Sequence, residues 1–600
     1  MSGKNYTFGD YVLDTRKREL SLRSRSIEVS VKAFDILEFL VENRDKTVTK
    51  EELFDSIWSD SFVEESNLPV HISALRRSLG EKRGETKYIK TIFGSGYKFI
   101  AEVEEIAAIT EKDERLGEKE AAVDLNFIQS NTDSIAVLPF VSLDDDPEIE
   151  YLAEGLTQDL INQFAQSSEL KVMAFSAVKN YRNSKLDFPE IGFQMNVERI
   201  FNGTVKKFKD KLDVYVELIN VKDRSIIWGS RYSRSFDDIF SIKEEISDKV
   251  LEILEIGKRE NGLTENKQKQ VDAETYNSYL KGLYILTNFA NSEDRRKSLE
   301  SALKLFRQAV KSDPSFAPSY AAIGKIHFFQ YNNDYISKSD ALALCRTAFQ
   351  RAIICDPNLS EAYVLEGMMK MFFESDFVKA NECFIKALKL NPNDAYAYHM
   401  QSLLFVVLGK FDKAFEAQNK AIRLDPTSTS YNCGLLNRFF FAGNFNRAIT
   451  HAEETIEMNE RSVPAYLVLA LSYAMLGVYD EALKTIRKAQ EFSLLPDYLL
   501  TESYFLALTG DEENARKILA EVSADKNTAE LLFSDIALVY MALGEEEKAI
   551  DVIEKSCSNG YIMNYLLQYD PRMEPLKKNP RYLSILQDIH QRGIFPETQN

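Results

Sequence analysis

Cysteine is scarce in this 600-residue chain: Cys345, Cys355, Cys383, Cys433 and Cys557 are odd in number and contain no CxxC pair. Neither a zinc site nor a disulfide framework is indicated, and the five read as reduced core residues. The five histidines are equally few and dispersed, which argues against a metal centre. No window reaches the roughly 18 apolar residues of a membrane helix, and the start, MSGKNYTFGDY, lacks a basic segment followed by an apolar one. The expectation is a soluble cytoplasmic protein with no membrane contact. No GxxxxGK[ST] run, activated nucleophile or ligand cluster is present, so no cofactor and no enzymatic activity are expected. What the chain does have is an apolar content of 44% and length for about three to five domains.

A net charge of −19 would repel nucleic acid if it were spread evenly. Between Ser66 and Ile100, however, Arg76, Arg77, Lys82, Arg83, Lys87, Lys90 and Lys98 face only Glu81 and Glu85. Upstream, Glu51, Glu52, Asp55, Asp60, Glu64 and Glu65 form an acidic stretch, so one side of this region would turn toward DNA and the other away. Within SNLPVHISALRRSLG, Leu68, Ile72, Leu75 and Leu79 share one helical stripe, with Val70, Ser73, Ala74 and Arg77 opposite. Pro69 fits the first turn, capped by Ser66 or Asn67. Tyr88 to Phe99 reads as two strands closed by Gly94-Ser95-Gly96, with Lys90 and Lys98 on its arms. Before these come a small antiparallel sheet (Tyr6 to Val29), a helix in KAFDILEFLVEN, and a second helix opened by a Thr49/Glu52 capping box. Helix plus basic hairpin is how a winged helix grips DNA.

Residues 6 to 103 resemble the OmpR/PhoB-type winged-helix effector domain through EELFDSIW, VHISALRRSLG and TIFGSGYKF. The resemblance implies that Val70, Ser73, Ala74 and Arg77 face bases. His71, Arg76, Thr91 and Tyr97 would contact phosphates, flanked by Asn67 and supported by Lys90 and Lys98. Family members often carry arginines where this chain has Ser73 and Ala74, and Phe93 stands at a wing position usually held by arginine. One arginine among small neighbours gives a single protomer modest sequence specificity, so paired binding as a homodimer on DNA is expected. With no receiver domain read ahead of the module, the input is expected from the C-terminal side.

Residues 104–133 are charged and weakly apolar, as in a linker. Residues 134–256 alternate strands and helices: SIAVLPFV, YLAEGLTQDLINQFAQ, LKVMAFSAV, a hairpin around Lys209-Asp210, SIIWGSRYSRS, then DDIFSIKEEISDKVLEIL. This is an α/β pattern. It resembles the TolB-N-like domain through SIAVLPF, EYLAEGLTQDL, FNGTV and WGSRYSRSFDDIFSIKEEI. Asp144, Asp145 and Asp146 read as a solvated turn and Gly203 as a strand glycine, because no partner carboxylates or phosphate loop accompany them.

From 272 to 562 the chain is periodic. Ala380, Ala414, Ala448 and Ala482 recur every 34 residues, Ala515 and Ala549 continue the beat, and Gly409, Gly443, Gly477, Gly510 and Gly544 precede them by five. That period is the tetratricopeptide signature, two helices per repeat, and about eight repeats are expected, with residues 563–600 as capping helices. Pro314 and Pro357 stand 43 apart, so the second repeat is longer, and its Phe328, Phe329, Tyr331 and Tyr335 are candidates for an aromatic partner-binding lip. The fold class is multidomain and mostly α: a winged helix, a small α/β domain, then an all-α repeat solenoid. This order resembles HilA-like invasion-gene activators. It implies a one-component, sequence-specific regulator of promoter DNA whose repeats sense or recruit a protein or peptide, with RNA polymerase a further expected partner. The alternative is a non-catalytic scaffold assembled through the repeats.

Overall fold

The computed structural model describes residues 5–593 except for 107–132, 257–270, most of 58–74 and shorter stretches such as 82–85 and 558–561. It divides into two units. The first joins residues 1–131 to Gly443–Tyr498, and the second joins Thr132–Ala442 to Leu499–Asn600.

In the first unit, strands β1 (Asn5–Phe8), β2 (Tyr11–Asp14), β3 (Glu19–Leu22) and β4 (Arg25–Ile27) form an antiparallel meander. Strand β8 (Glu104–Ile106) closes the other edge against β1, so the N-terminal sheet reaches into the segment expected to be linker. The helix Val31–Glu42 buries Phe34, Leu37, Leu40 and Val41, the stripe its spacing foretells, and Ile36 as well. Helix Lys50–Ile57 opens with the capping box: Thr49 N–H donates to Glu52 Oε2 at 2.8 Å, and Glu52 N–H donates to Thr49 Oγ1 at 3.1 Å. A second sheet runs β5 (Val48–Thr49), β7 (Gly96–Phe99), β6 (Ile89–Ile92). At the β5–β7 crossing Gly96 has φ +145°, and a Cβ there would sit 2.0 Å from the Val48 carbonyl. Three repeat helices complete the unit: Phe445–Met458, Val463–Met475 and Tyr479–Gln490.

The second unit holds the α/β domain and the other repeat helices. Its sheet runs β11 (Leu170–Val172), β9 (Asp133–Val137), β12 (Arg199–Phe208), β13 (Lys211–Asn220), β14 (Ile226–Ser235), with β10 (Val141–Ser142) beside β12. β9, β11 and β12 are parallel, while β12 and β13 are antiparallel down to Phe208 opposite Lys211, the hairpin read at Lys209-Asp210. Leu212, Val214, Val216 and Leu218 alternate inward along β13, all fully buried. The core does not stop at the end of this domain. Tyr276, Leu280, Leu299 and Phe306 of the first repeat helices belong to the same apolar cluster as Ile135, Leu156 and Ile246.

Along the chain the described residues contain eight tetratricopeptide-type helix pairs, from Ala273–Asn288 with Arg295–Ser312 to Phe533–Ala542 with Glu546–Cys557. Ala380, Ala414, Ala448, Ala482, Ala515 and Ala549 are all fully buried, the small-residue positions of the period. The five periodic glycines have φ between +69° and +89°, the left-handed turn between the helices of a pair, and Ser375 adopts the same turn at φ +52°, one repeat before Gly409. The longer second repeat is spent on helix: Ala317–Asn332 and Lys338–Cys355 have 16 and 18 residues, against 13 and 14 in the next pair. The four aromatics Phe328, Phe329, Tyr331 and Tyr335 are all in ring contacts. Phe328 packs on Phe372 and Phe373, Tyr331 on Phe373, Phe329 stacks on Phe289, and Arg296 covers Tyr335.

Candidate nucleic-acid interface

Leu68, Ile72, Leu75 and Leu79 are buried at no more than 1% exposure, so the apolar stripe of the third helix is docked. Arg76 sits at the rim of that helix and ties it to the hairpin. Its Nη2 donates to the Ile89 carbonyl at 3.1 Å and to Thr91 Oγ1 at 2.7 Å. Behind it, the buried Glu81 carboxylate lies 3.5 Å from Arg76 Nε and accepts the backbone N–H groups of Lys87, Tyr88 and Ile89. Glu81, which composition alone counts as a stray acid in a basic segment, thus holds the start of the hairpin in place. Three charge-assisted bonds to backbone justify burying it.

On the hairpin, Lys90 is exposed and Lys98 half-buried, opposite each other across β6 and β7, while Thr91 pairs with Tyr97. The Tyr97 ring is fully buried against the sheet, and its hydroxyl donates to Glu457 Oε2 at 3.2 Å. Burial pushes that hydroxyl's pKa up and the neighbouring Glu457 charge adds to the shift. Asn67, Val70, His71, Ser73, Ala74, Arg77 and the wing residue Phe93 lie outside the described residues.

Sequence reasoning missed the acidic side chains on the repeat helix Phe445–Met458. Glu454 Oε1 lies 3.4 Å from Arg76 Nη1, and its other oxygen lies 3.2 Å from the buried His451 Nδ1. Burial raises the Glu457 carboxyl to about 7, against the opposing pull of Arg76 and Lys50. Glu453 is also raised by burial, and Arg76 and Lys90 pull it back. A period of 34 marks such a helix as a repeat element, but nothing in it marks Glu454 and Glu457 as partners of residues some 360 positions earlier.

A second missed cluster lies in the other unit. The Asn393 amide donates to the carbonyls of Ala165, Ser167 and Leu170 at 3.1, 3.1 and 2.9 Å, and its oxygen accepts Val172 N–H at 3.2 Å. In the next repeat's loop, Asp425 accepts from Ser176 Oγ, and the Leu424 carbonyl accepts Ala174 N–H at 3.1 Å. Two successive repeat loops therefore grip the end of β11 and the turn beyond it.

Residues 24–99 match the family described as transcriptional regulatory protein, C terminal. Residues 130–249 match the second domain of HilA/YgeH-like transcriptional regulators, and residues 374–429 and 433–495 match tetratricopeptide repeats. Over 531 residues the chain is 24% identical to the transcriptional regulator HilA of Salmonella typhi, a span of 88% of this chain and 84% of that protein. The chain is a DNA-binding transcriptional regulator, with an OmpR/PhoB-type effector domain, a HilA-like second domain and tetratricopeptide repeats. The regulator's effector region is also 36% identical over 89 residues to the regulatory protein VanR of Enterococcus faecium, 14% of this chain and 38% of VanR. A further similarity, 26% over 204 residues, is to a putative adenylate cyclase 3 of Rhizobium meliloti and spans 34% of each chain. No helix among the described residues is long and apolar enough to cross a membrane.

Proposed function

We propose that the regulator is a one-component protein of the cytoplasm, without catalysis of its own, that binds promoter DNA through the winged helix and takes its input through the repeats. The observation that carries this reading is the docked third helix, with its apolar stripe buried and the Arg76-tied hairpin beside it presenting Lys90 and Lys98. Arg77 faces bases together with Val70, Ser73 and Ala74, while His71, Arg76, Thr91 and Tyr97 meet phosphates and Asn67 flanks them. A face this sparse in arginine pairs with a second copy at adjacent half-sites. The repeats hold a protein or peptide, with RNA polymerase as one partner, and so couple that partner to DNA.

The test is a salt titration of binding to the gene's own upstream DNA. Arg77→Ala is expected to lose base preference, at about 1 to 3 kcal/mol for a bidentate contact. Lys90→Ala and Lys98→Ala are expected to weaken all sequences alike and to reduce the salt slope by about one each. Binding that ignores both salt and these variants would leave the scaffold reading in its place.

A further inference from the structure

The face that the proposed function assigns to DNA already has an occupant within its own unit. Arg76 and Tyr97, two of the four side chains assigned to phosphate, are bonded to carboxylates of the helix Phe445–Met458: Arg76 to Glu454 at 3.4 Å and Tyr97 to Glu457 at 3.2 Å. The match is chemical as well as geometric. A carboxylate oxygen and a phosphate oxygen ask the same of a guanidinium and a phenol, so one set of donors serves either acceptor, but not both together. The Arg76 side chain is 11% exposed with Glu454 in place. Glu453, Glu454 and Glu457 lie within about one turn of one helix, as phosphates follow one another along a strand, and Lys50 and Lys90 act on this group electrostatically. Glu454 is backed in turn by His451, which fixes the carboxylate from inside its own helix.

We propose that the helix Phe445–Met458 is an intramolecular competitor of DNA, its Glu454 and Glu457 holding the phosphate-contacting groups Arg76 and Tyr97 in a closed effector. The inference rests on the DNA-binding reading above and deepens it by naming the regulation of the same face. Closure lowers the apparent affinity for DNA by the fraction of molecules that are open. Anything that draws the acidic helix away raises it without touching DNA.

Two measurements on the full chain test this. The first compares DNA affinity of wild type with Glu454→Ala/Glu457→Ala and with Glu460→Ala, an exposed glutamate beyond the end of the same helix. The double variant is expected to bind about tenfold tighter or more, and Glu460→Ala to bind as wild type. The second is zero-length carbodiimide cross-linking of wild type, in which links from Lys50 or Lys90 to Glu453 or Glu457 are expected in free protein and are lost on adding DNA. Unchanged affinity in the double variant, or cross-links that persist at saturating DNA, would overturn the closed state while leaving DNA binding intact. If neither wild type nor variant binds DNA, the functional reading falls and the inhibitory role falls with it, whatever the cross-links show. Helix content by circular dichroism should match wild type, which separates release from unfolding.

Discussion

Replacing Asn393 with alanine removes the amide that one repeat loop inserts into the α/β domain, and the cost can be worked from its partners. Two N–H groups serve three carbonyls, those of Ala165, Ser167 and Leu170, and the oxygen takes Val172 N–H, so about three bonds' worth of interaction is lost. At a net value near 1 kcal/mol each, Asn393→Ala should weaken the unit by about 3 kcal/mol. Asn393→Asp should do worse although it is nearly isosteric, because an acceptor-only carboxylate would then face three carbonyl oxygens. Trp228 lies on β14 of this domain, and a Trp58→Phe background leaves it as the sole tryptophan. Urea unfolding followed by its fluorescence should show a lower midpoint with unchanged slope for Asn393→Ala, and lower still for Asn393→Asp. An aspartate variant as stable as the alanine one, or both superimposed on wild type, would refute the claim that the loop holds the domain by donating.

Gly96→Ala places a methyl 2.0 Å from the Val48 carbonyl at a backbone angle side chains avoid, so the hairpin should detach, with DNA binding lost and at least about 2 kcal/mol of effector stability gone in a melt. The closed effector should also respond to pH. Glu457, faced by Arg76, Lys50, Glu454 and the Tyr97 hydroxyl, has its pKa raised to about 7 where it is docked. A carboxyl with a higher pKa docked than free favours docking below its free pKa, and that contribution is lost as pH rises through about 7. DNA affinity of the intact chain should therefore climb between pH 6 and pH 8, and Glu457→Gln, a permanent mimic of the protonated form, should flatten the rise. Among the thiols, Cys345 is buried and pushed up to about 12, so native protein should leave it unlabelled by a maleimide while denatured chain labels all five cysteines, a difference read by mass spectrometry.

Local patterns were legible wherever one residue type answers one constraint. The Thr49/Glu52 box, the stripe of Leu68, Ile72, Leu75 and Leu79, the β12–β13 hairpin and the alanine–glycine beat of the repeats each follow from period and turn chemistry, and the structure has them where the spacing puts them. Ser375 escaped because the left-handed turn has a glycine in the later repeats, and a serine there carries no such label. Glu81 was counted as a charge, although its use is as an acceptor for three backbone N–H groups, which depends on how the following loop folds back. Asn393, Asp425, Glu454 and Glu457 were invisible for a different reason. Each satisfies the solvent-exposed grammar of its own repeat, and its partner lies more than 200 residues away in sequence. Periodicity describes what a repeat does for its neighbour and is silent on what it does for a distant segment.

Asn393 and Asp425 have a consequence for how this chain can vary. They sit in consecutive loops, and they touch the α/β domain within a few residues of each other, at Leu170 to Val172 and at Ser176. The two loops therefore act as the jaws of a calliper, whose opening is set by the helix pair between them, Ala395–Val407 and Phe411–Leu424. Adding or deleting a turn in either helix would leave a good tetratricopeptide unit and still pull one jaw off its mark. In this stretch the repeat length is a measured distance, and a consensus repeat of the wrong pitch could not replace it.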